Sequence, residues 1–324
     1  MSTSLAESIK REALALGFSG VGIAPAAPLA EHQRAFRRYL SEGRHAGMAY
    51  LAQEPERRED PGRVLPGAKS VIALAWAYYR GDHPPPPDAP AGKIARYAWG
   101  SDYHAIIEPR LTRLKTFILE QRPGAAIRGA VDHAPLLERA YAQAAGLGFI
   151  GKHTLLITPD LGSWVLLAEL ITDLDLPADT PSVGGCGSCT RCLDACPTNA
   201  LTGPFQLDAG RCIAYLTIEY KGVVAEELRP QVGDWLFGCD ICQEACPYNQ
   251  VAMDSPTAPH ADDDVTPGGI APWLTLDDAA APRSHGQFRD RFQGTAIHRV
   301  NAKRLARNAA VVRENSPTGD RSAV

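Results

Sequence analysis

The chain has 324 residues, 45% hydrophobic and 22% charged, with 33 Lys+Arg against 37 Asp+Glu and a formal net charge of −4. This composition excludes a wholly disordered chain, and the longest apolar run, residues 71–79, is too short for a membrane-spanning helix. The N-terminus lacks the continuous apolar core of a signal peptide, so the cytoplasm is the expected compartment, and the mild acidity argues against a general nucleic-acid binder.

Apolar spacing at Leu5, Ile9, Ala13 and Leu16 predicts an amphipathic helix over residues 1–20, followed by a short strand at 20–24. Residues 31–52 read as a second helix, broken by Pro61, Gly62, Pro66 and Gly67. Residues 71–79 form a buried-strand candidate, and four prolines at 84–87 mark an extended exposed loop. Helix is expected over 101–121 despite Pro109, strand over 125–131 and helix over 136–145, with strands over 154–158 and 164–172. This alternation predicts a mixed α/β or α+β domain over residues 1–176. The Pro-, Asp- and Gly-rich stretch 177–185 is the expected boundary to a cysteine-bearing domain, 177–252. A polar loop over 253–269 then leads into a basic, partly helical tail, so that 253–324 forms a third segment.

All eight cysteines lie between 186 and 246, a clustering unlike the even stapling of a secreted disulfide scaffold. The first group, Cys186-x2-Cys189-x2-Cys192-x3-Cys196-Pro197, has the ferredoxin spacing in which three thiolates wrap one [4Fe–4S] cluster and the fourth serves a second. The other group, Cys239-x2-Cys242-x3-Cys246-Pro247, has Ala245 where another cysteine would fall, and the isolated Cys212 can make up the missing ligand. Two sets of four follow: Cys186, Cys189, Cys192 and Cys246 on one cluster, and Cys196, Cys212, Cys239 and Cys242 on the other. Two four-cysteine zinc sites are the competing reading, disfavoured because zinc sites rarely use the three-cysteine run before Cys-Pro. The spacing says electron transfer without naming the acceptor. No Rossmann, Walker A or HExxH motif is present in a fitting context; Gly146-Leu-Gly-Phe-Ile-Gly matches GxGxxG in letters but follows a helix.

Seven motifs, taken in order, resemble the epoxyqueuosine reductase family. They are Leu65-Pro-Gly-Ala-Lys-Ser-Val-Ile72, Ala95-Arg-Tyr-Ala-Trp-Gly-Ser-Asp-Tyr-His104, Val131-Asp-His-Ala-Pro-Leu-Leu-Glu-Arg139, Gly146-Leu-Gly-Phe-Ile-Gly-Lys152, Cys212-Ile-Ala-Tyr-Leu-Thr-Ile-Glu219, Gly238-Cys-Asp-Ile-Cys242 and Leu305-Ala-Arg-Asn-Ala309. The resemblance covers about residues 5–312 and implies a short form without the C-terminal helical-repeat extension. It implies an α+β fold in which a cobalamin-binding domain precedes a ferredoxin-like double-cluster domain. It further implies that electrons pass through two [4Fe–4S] clusters to a corrinoid cobalt, resting as cob(II)alamin, to turn epoxyqueuosine in tRNA into queuosine.

By the same resemblance Asp132 is the acid that protonates the departing oxygen, a role expected to require a raised pKa. Arg58, Tyr97, Asp132, Lys152, His153, Thr158 and Asp240 are implied cobalamin contacts. Asp102-Tyr-His104 resembles the start of a histidine-ligand motif, but Ile107 stands where that motif has glycine, so no protein histidine is expected below the cobalt. A corrinoid dehalogenase and a simple ferredoxin-type carrier are the alternatives. A low-potential electron donor and a monomeric state are expected. The charge is unevenly spread: residues 283–321 hold nine Lys+Arg against three acids. Arg299, Lys303, Arg304 and Arg307 are therefore candidate tRNA contacts.

Overall fold

The computed structural model describes residues 4–251 and 269–316. Most of the expected loop over 253–269, and Asp320 and Arg321 of the basic segment, lie outside the described residues. The fold is mixed α and β. Helix α1 (Leu5–Ala15) starts where the Ser4 side chain accepts the Glu7 N–H, buries Ala6, Ile9 and Ala13, and stops before Gly17 at φ 96°. It leads into β1 (Gly20–Pro25). Next come α2 (Ala30–Ser41), shorter than expected because Gly43 turns at φ 68°, and α3 (Pro55–Glu59).

The central sheet joins β1 to β2 (Ser70–Ala77), β7 (Val165–Thr172) and β4 (Ile127–Ala130), in the order β1-β2-β7-β4, all neighbours antiparallel. Seven of the eight β2 residues are buried, because both faces of the sheet are covered. On one face Ile72, Leu74, Ala168 and Leu170 pack with α1 and α4 (Tyr103–Gln121). On the other, Val71, Ala73 and Ile171 pack with α5 (Glu138–Ala144). At Gly22 a Cβ would lie 2.0 Å from the Ala145 carbonyl oxygen, so only glycine lets α5 settle this close to β1.

A second sheet crosses the expected domain boundaries. Its middle strand β3 (Ala91–Ile94) pairs in parallel with β10 (Trp235–Phe237) and antiparallel with β11 (Trp273–Thr275). All three expected segments are thereby stitched into one body. Two small hairpins, β5 (Phe149–Ile150) with β6 (Leu156–Ile157) and β8 (Leu201–Gly203) with β9 (Gln206–Leu207), flank the cysteine region. That region carries α6 (Arg191–Ala195), α7 (Ile213–Ile218), α8 (Arg229–Val232) and α9 (Ile241–Glu244). Helices α10 (Leu276–Ala280), α11 (His285–Phe292) and α12 (Ala302–Asn315) follow. Among the described residues no helix is long and apolar enough to cross a membrane.

Candidate active site and cluster ligands

Six of the eight cysteines sit in or beside short helices, and Cys186 and Cys189 lie in the turn that precedes α6. Cys192 lies in α6, Cys196 ends it, Cys212 precedes α7, and Cys239 and Cys242 bracket the start of α9. Cys246 lies just beyond α9. Burial raises the Cys192 thiol, with Cys186 and Cys246 adding to the effect; burial also raises Cys246, with Cys186 and Cys189 beside it. Burial raises Cys242, with Cys212, Asp240, Cys196 and Cys192 contributing. Cys196, Cys212, Cys239 and Cys242 also line one cavity.

That cavity, about 430 Å³, is walled largely by apolar side chains, among them Leu155, Leu156, Leu166, Leu207 and Ile213. Two buried polar atoms on it have no partner, Glu138 Oε1 and His153 Nε2. The His153 Nδ1 accepts the Leu155 N–H at 3.1 Å, so its Nε2 carries the ring proton and is a donor rather than a metal ligand. Burial and nearby Arg139 hold this imidazole neutral, at about 4. Apolar walls with isolated polar atoms fit a broad, mostly apolar ring bearing polar arms. On the cavity wall Asp240, 1% exposed, accepts from the Arg96 N–H at 2.8 Å and from its guanidinium at 3.1 Å. Burial pushes Asp240 up to about 6 against the pull of Arg96.

A second, more polar cavity of about 530 Å³ is lined by Tyr50, Arg58, His104, His133, Glu219 and Arg299. The two cavities share Tyr97, Tyr103 and Asp132. Asp132 follows β4 with φ 49°, a left-handed conformation that a non-glycine residue holds only when its surroundings fix it. Its side chain, 33% exposed, faces three donors. The Tyr103 hydroxyl donates to Oδ2, the Arg299 guanidinium donates to Oδ2 at 3.2 Å, and His104 Nε2 lies 3.2 Å from Oδ1. Burial raises this carboxyl, but the hydrogen bonds from His104 and Tyr103 and the Arg299 charge outweigh it and bring it down to about 2. The expected raised pKa at Asp132 is thus corrected: at rest it is an ionised acceptor.

Carboxyls held above the usual range do occur nearby. Burial, with Asp132 beside it, pushes Glu138 up to about 7, and burial pushes Glu169 on β7 well above the usual range. Glu169 is 0% exposed and neither oxygen has a partner, a setting that disfavours the charged form.

The other expected site residues divide. Tyr97, His153 and Asp240 line the apolar cavity, while Arg58 lines the polar one. Lys152 and Thr158 do not reach either. Lys152 Nζ donates to the carbonyls of Gly187 and Cys189 at 2.7 and 2.8 Å and its N–H lies 3.4 Å from Cys186 Sγ, so it braces the cysteine loop. The Thr158 hydroxyl closes a local turn on the Gly162 carbonyl. In the basic segment Arg299 faces Asp132, and Lys303 is exposed. Arg304 donates to the Ile218 carbonyl, and Arg307 to those of Leu216, Tyr220 and Gly222. These two guanidiniums face inward, which corrects their reading as an outward basic surface. Sequence reasoning missed Tyr103, His104 and Glu138; Tyr103 and His104 stood in a motif already singled out, but about thirty positions from the carboxyl they serve.

Two families match the chain: "Epoxyqueuosine reductase QueG, DUF1730" over residues 58–133 and "4Fe-4S double cluster binding domain" over 185–249. An epoxyqueuosine reductase of Synechococcus sp. (strain CC9605) is 40% identical over 98% of this chain and 97% of its own. One from Pseudomonas aeruginosa is 41% identical over 97% of this chain and 86% of its own. Among solved structures, epoxyqueuosine reductase from Streptococcus thermophilus superposes with a TM-score of 0.85 at 32% identity, covering 97% of this chain and 82% of that one. A structure of epoxyqueuosine reductase with an epoxyqueuosine-modified tRNA-Tyr stem loop gives 0.82 at 33%, covering 96% and 81%.

Proposed function

The chain belongs to the epoxyqueuosine reductase family of oxidoreductases, and from that premise we propose that it acts on tRNA with a corrinoid in the apolar cavity and the modified base in the polar one. The observation that carries this reading is the meeting of the two cavities at Tyr97, Tyr103 and Asp132. Residues 1–176 and residues 177–252 supply equal shares of the cofactor walls. Residues 177–252 supply the two thiolate sets, Cys186, Cys189, Cys192 and Cys246, and Cys196, Cys212, Cys239 and Cys242, each holding a [4Fe–4S] cluster. The protein works in the cytoplasm, as a monomer, with a low-potential donor.

When bound, the corrinoid supplies a strongly reducing, nucleophilic metal centre. The protein supplies the rest. The His153 Nε2–H would donate to a polar arm of the ring, and the leucine-rich wall would keep water from its face. Tyr103, His104 and Arg299 hold Asp132 at the mouth shared by both cavities, where a departing oxygen would be met by their protons. A ferredoxin-type carrier would leave both cavities without a task.

The test is anaerobic loading with iron, sulfide and cobalamin, then incubation with a low-potential reductant and epoxyqueuosine-containing tRNA. Mass analysis of the nucleosides should show loss of one oxygen. A fully loaded protein that leaves the epoxide intact would overturn the reading.

Of the basic side chains, exposed Lys303 is placed to meet a phosphate, with Arg299 nearer the base. Lys303→Gln should weaken tRNA binding at low salt and flatten the log–log salt slope by about 0.7, the loss of one contact to single-stranded RNA. Arg307→Gln should instead lower the melting temperature, because it abandons backbone carbonyls of Leu216, Tyr220 and Gly222. An unchanged salt slope in Lys303→Gln would remove it from the RNA surface.

A further inference from the structure

Removing the epoxide oxygen breaks two C–O bonds, forms one C=C bond and releases water. It consumes two electrons, which the reductant of the established activity supplies, and two protons. Asp132, held ionised, is a poor store for either proton.

His104 lies between two carboxylates. Its Nδ1 is 2.8 Å from Asp102 Oδ1 and its Nε2 is 3.2 Å from Asp132 Oδ1. Ionised carboxylate oxygens only accept. A neutral ring has one N–H, so its other nitrogen would set a bare lone pair against an oxygen lone pair. Both contacts are satisfied together only by the imidazolium. The setting makes this more pointed, because His104 is in the first turn of α4, where the helix dipole disfavours a cation. Asp102 answers both demands: its Oδ1 caps the helix by accepting the His104 N–H at 3.0 Å and also faces the ring. The other groups facing the imidazole are the Tyr103 ring, stacked at 4.3 Å, and His133, with its ring 6.4 Å away. Arg299 lies beyond Asp132.

We propose that His104 is the resting proton donor of the reduction, passing its Nε2 proton through the Asp132 carboxylate to the epoxide oxygen as its C–O bond breaks. This rests on the reading of Asp132 as the place of reaction. Asp132 takes the proton on Oδ1 and hands that same proton on to the departing oxygen, so the carboxylate is restored at the end of the step. The second proton, which completes the water, enters from solvent through the polar cavity, and solvent also restores His104. His104 acts through Asp132 and is in that sense a positioning residue with a proton.

The hydrogen bonds to Asp102 and Asp132 raise the imidazole to about 10 against burial. Activity that requires the imidazolium is therefore kept at neutral pH and lost as pH rises through that value. The test uses the full, loaded chain. Nitrogen NMR of the imidazoles, with His104 assigned by its absence in His104→Gln, should give a titration near 10 in the wild type and a lower one in Asp102→Asn, whose asparagine still caps the helix. His104→Gln should lower kcat by about 10²–10⁴-fold with KM little changed, and Asp102→Asn should move the basic limb of the kcat profile to lower pH. A His104 titration at the ordinary histidine value, or wild-type kcat in His104→Gln, would overturn the proposal. The titration needs no substrate, so failure of the wild type to convert tRNA would instead count against the functional reading.

Discussion

Asp132→Asn should fold, take up both clusters and bind cobalamin, yet lose about 10³–10⁴ of its turnover, equivalent to about 4–5.5 kcal/mol of barrier. Asparagine is the informative replacement. It is among the few side chains that tolerate the φ of 49° found here, so the loop is spared the strain that alanine would add. It keeps the size of the carboxylate but cannot relay a proton. It also removes the charge that Arg299 and His104 pair with. Single-turnover kinetics on protein of verified iron and cobalt content would measure the effect. More than a tenth of wild-type turnover would remove Asp132 from the chemistry.

The second large effect is expected at Cys212. Cys212→Ser should take the iron content from about eight to about four atoms per chain, the difference of one four-iron cluster, and turnover should become undetectable. This cysteine stands alone in sequence, immediately before α7. Serine there preserves helix entry but gives a harder, poorer ligand for iron. Iron analysis with low-temperature electron paramagnetic resonance would count and distinguish the clusters. Eight irons retained in this variant would break the proposed four-and-four arrangement. Two zinc atoms and no iron in the wild type would end the electron path itself.

The sequence carried the long strands and helices well, because α1 and α4 bury side chains at helical spacing and β2 and β7 are eight-residue, mostly apolar runs. The double-cluster domain was equally readable, since cysteine spacing within a tight loop is a local property. The sheet β10-β3-β11 was not, because its strands have three or four residues and come from three separate stretches of chain. The ionisation of Asp132 was misjudged for a related reason. Burial beside an apolar cavity could be foreseen and would raise a carboxyl, but the donors that reverse it arrive from α4 and from Arg299, separations of 28, 29 and 167 residues. Lys152 sat in a motif, and the motif was informative, but nothing local told that its ammonium would turn to the carbonyls of Gly187 and Cys189. The same limit applies to Arg304 and Arg307, where a run of positive charge does not announce which members point inward.

The grip of α12 on α7 has a consequence in time. The Asn308 amide donates to the carbonyls of Thr217 and Leu236, 91 and 72 residues away in sequence, and Arg304 and Arg307 bind carbonyls 85 to 91 residues away. Contacts of such separation close only after large loops have been ordered, and they make for slow, late steps of folding. The stretch they secure begins one residue after Cys212. With Cys212 as a ligand in the proposed set, cluster loading is expected to follow one of the last docking events of the chain, and its rate should track the final stage of folding.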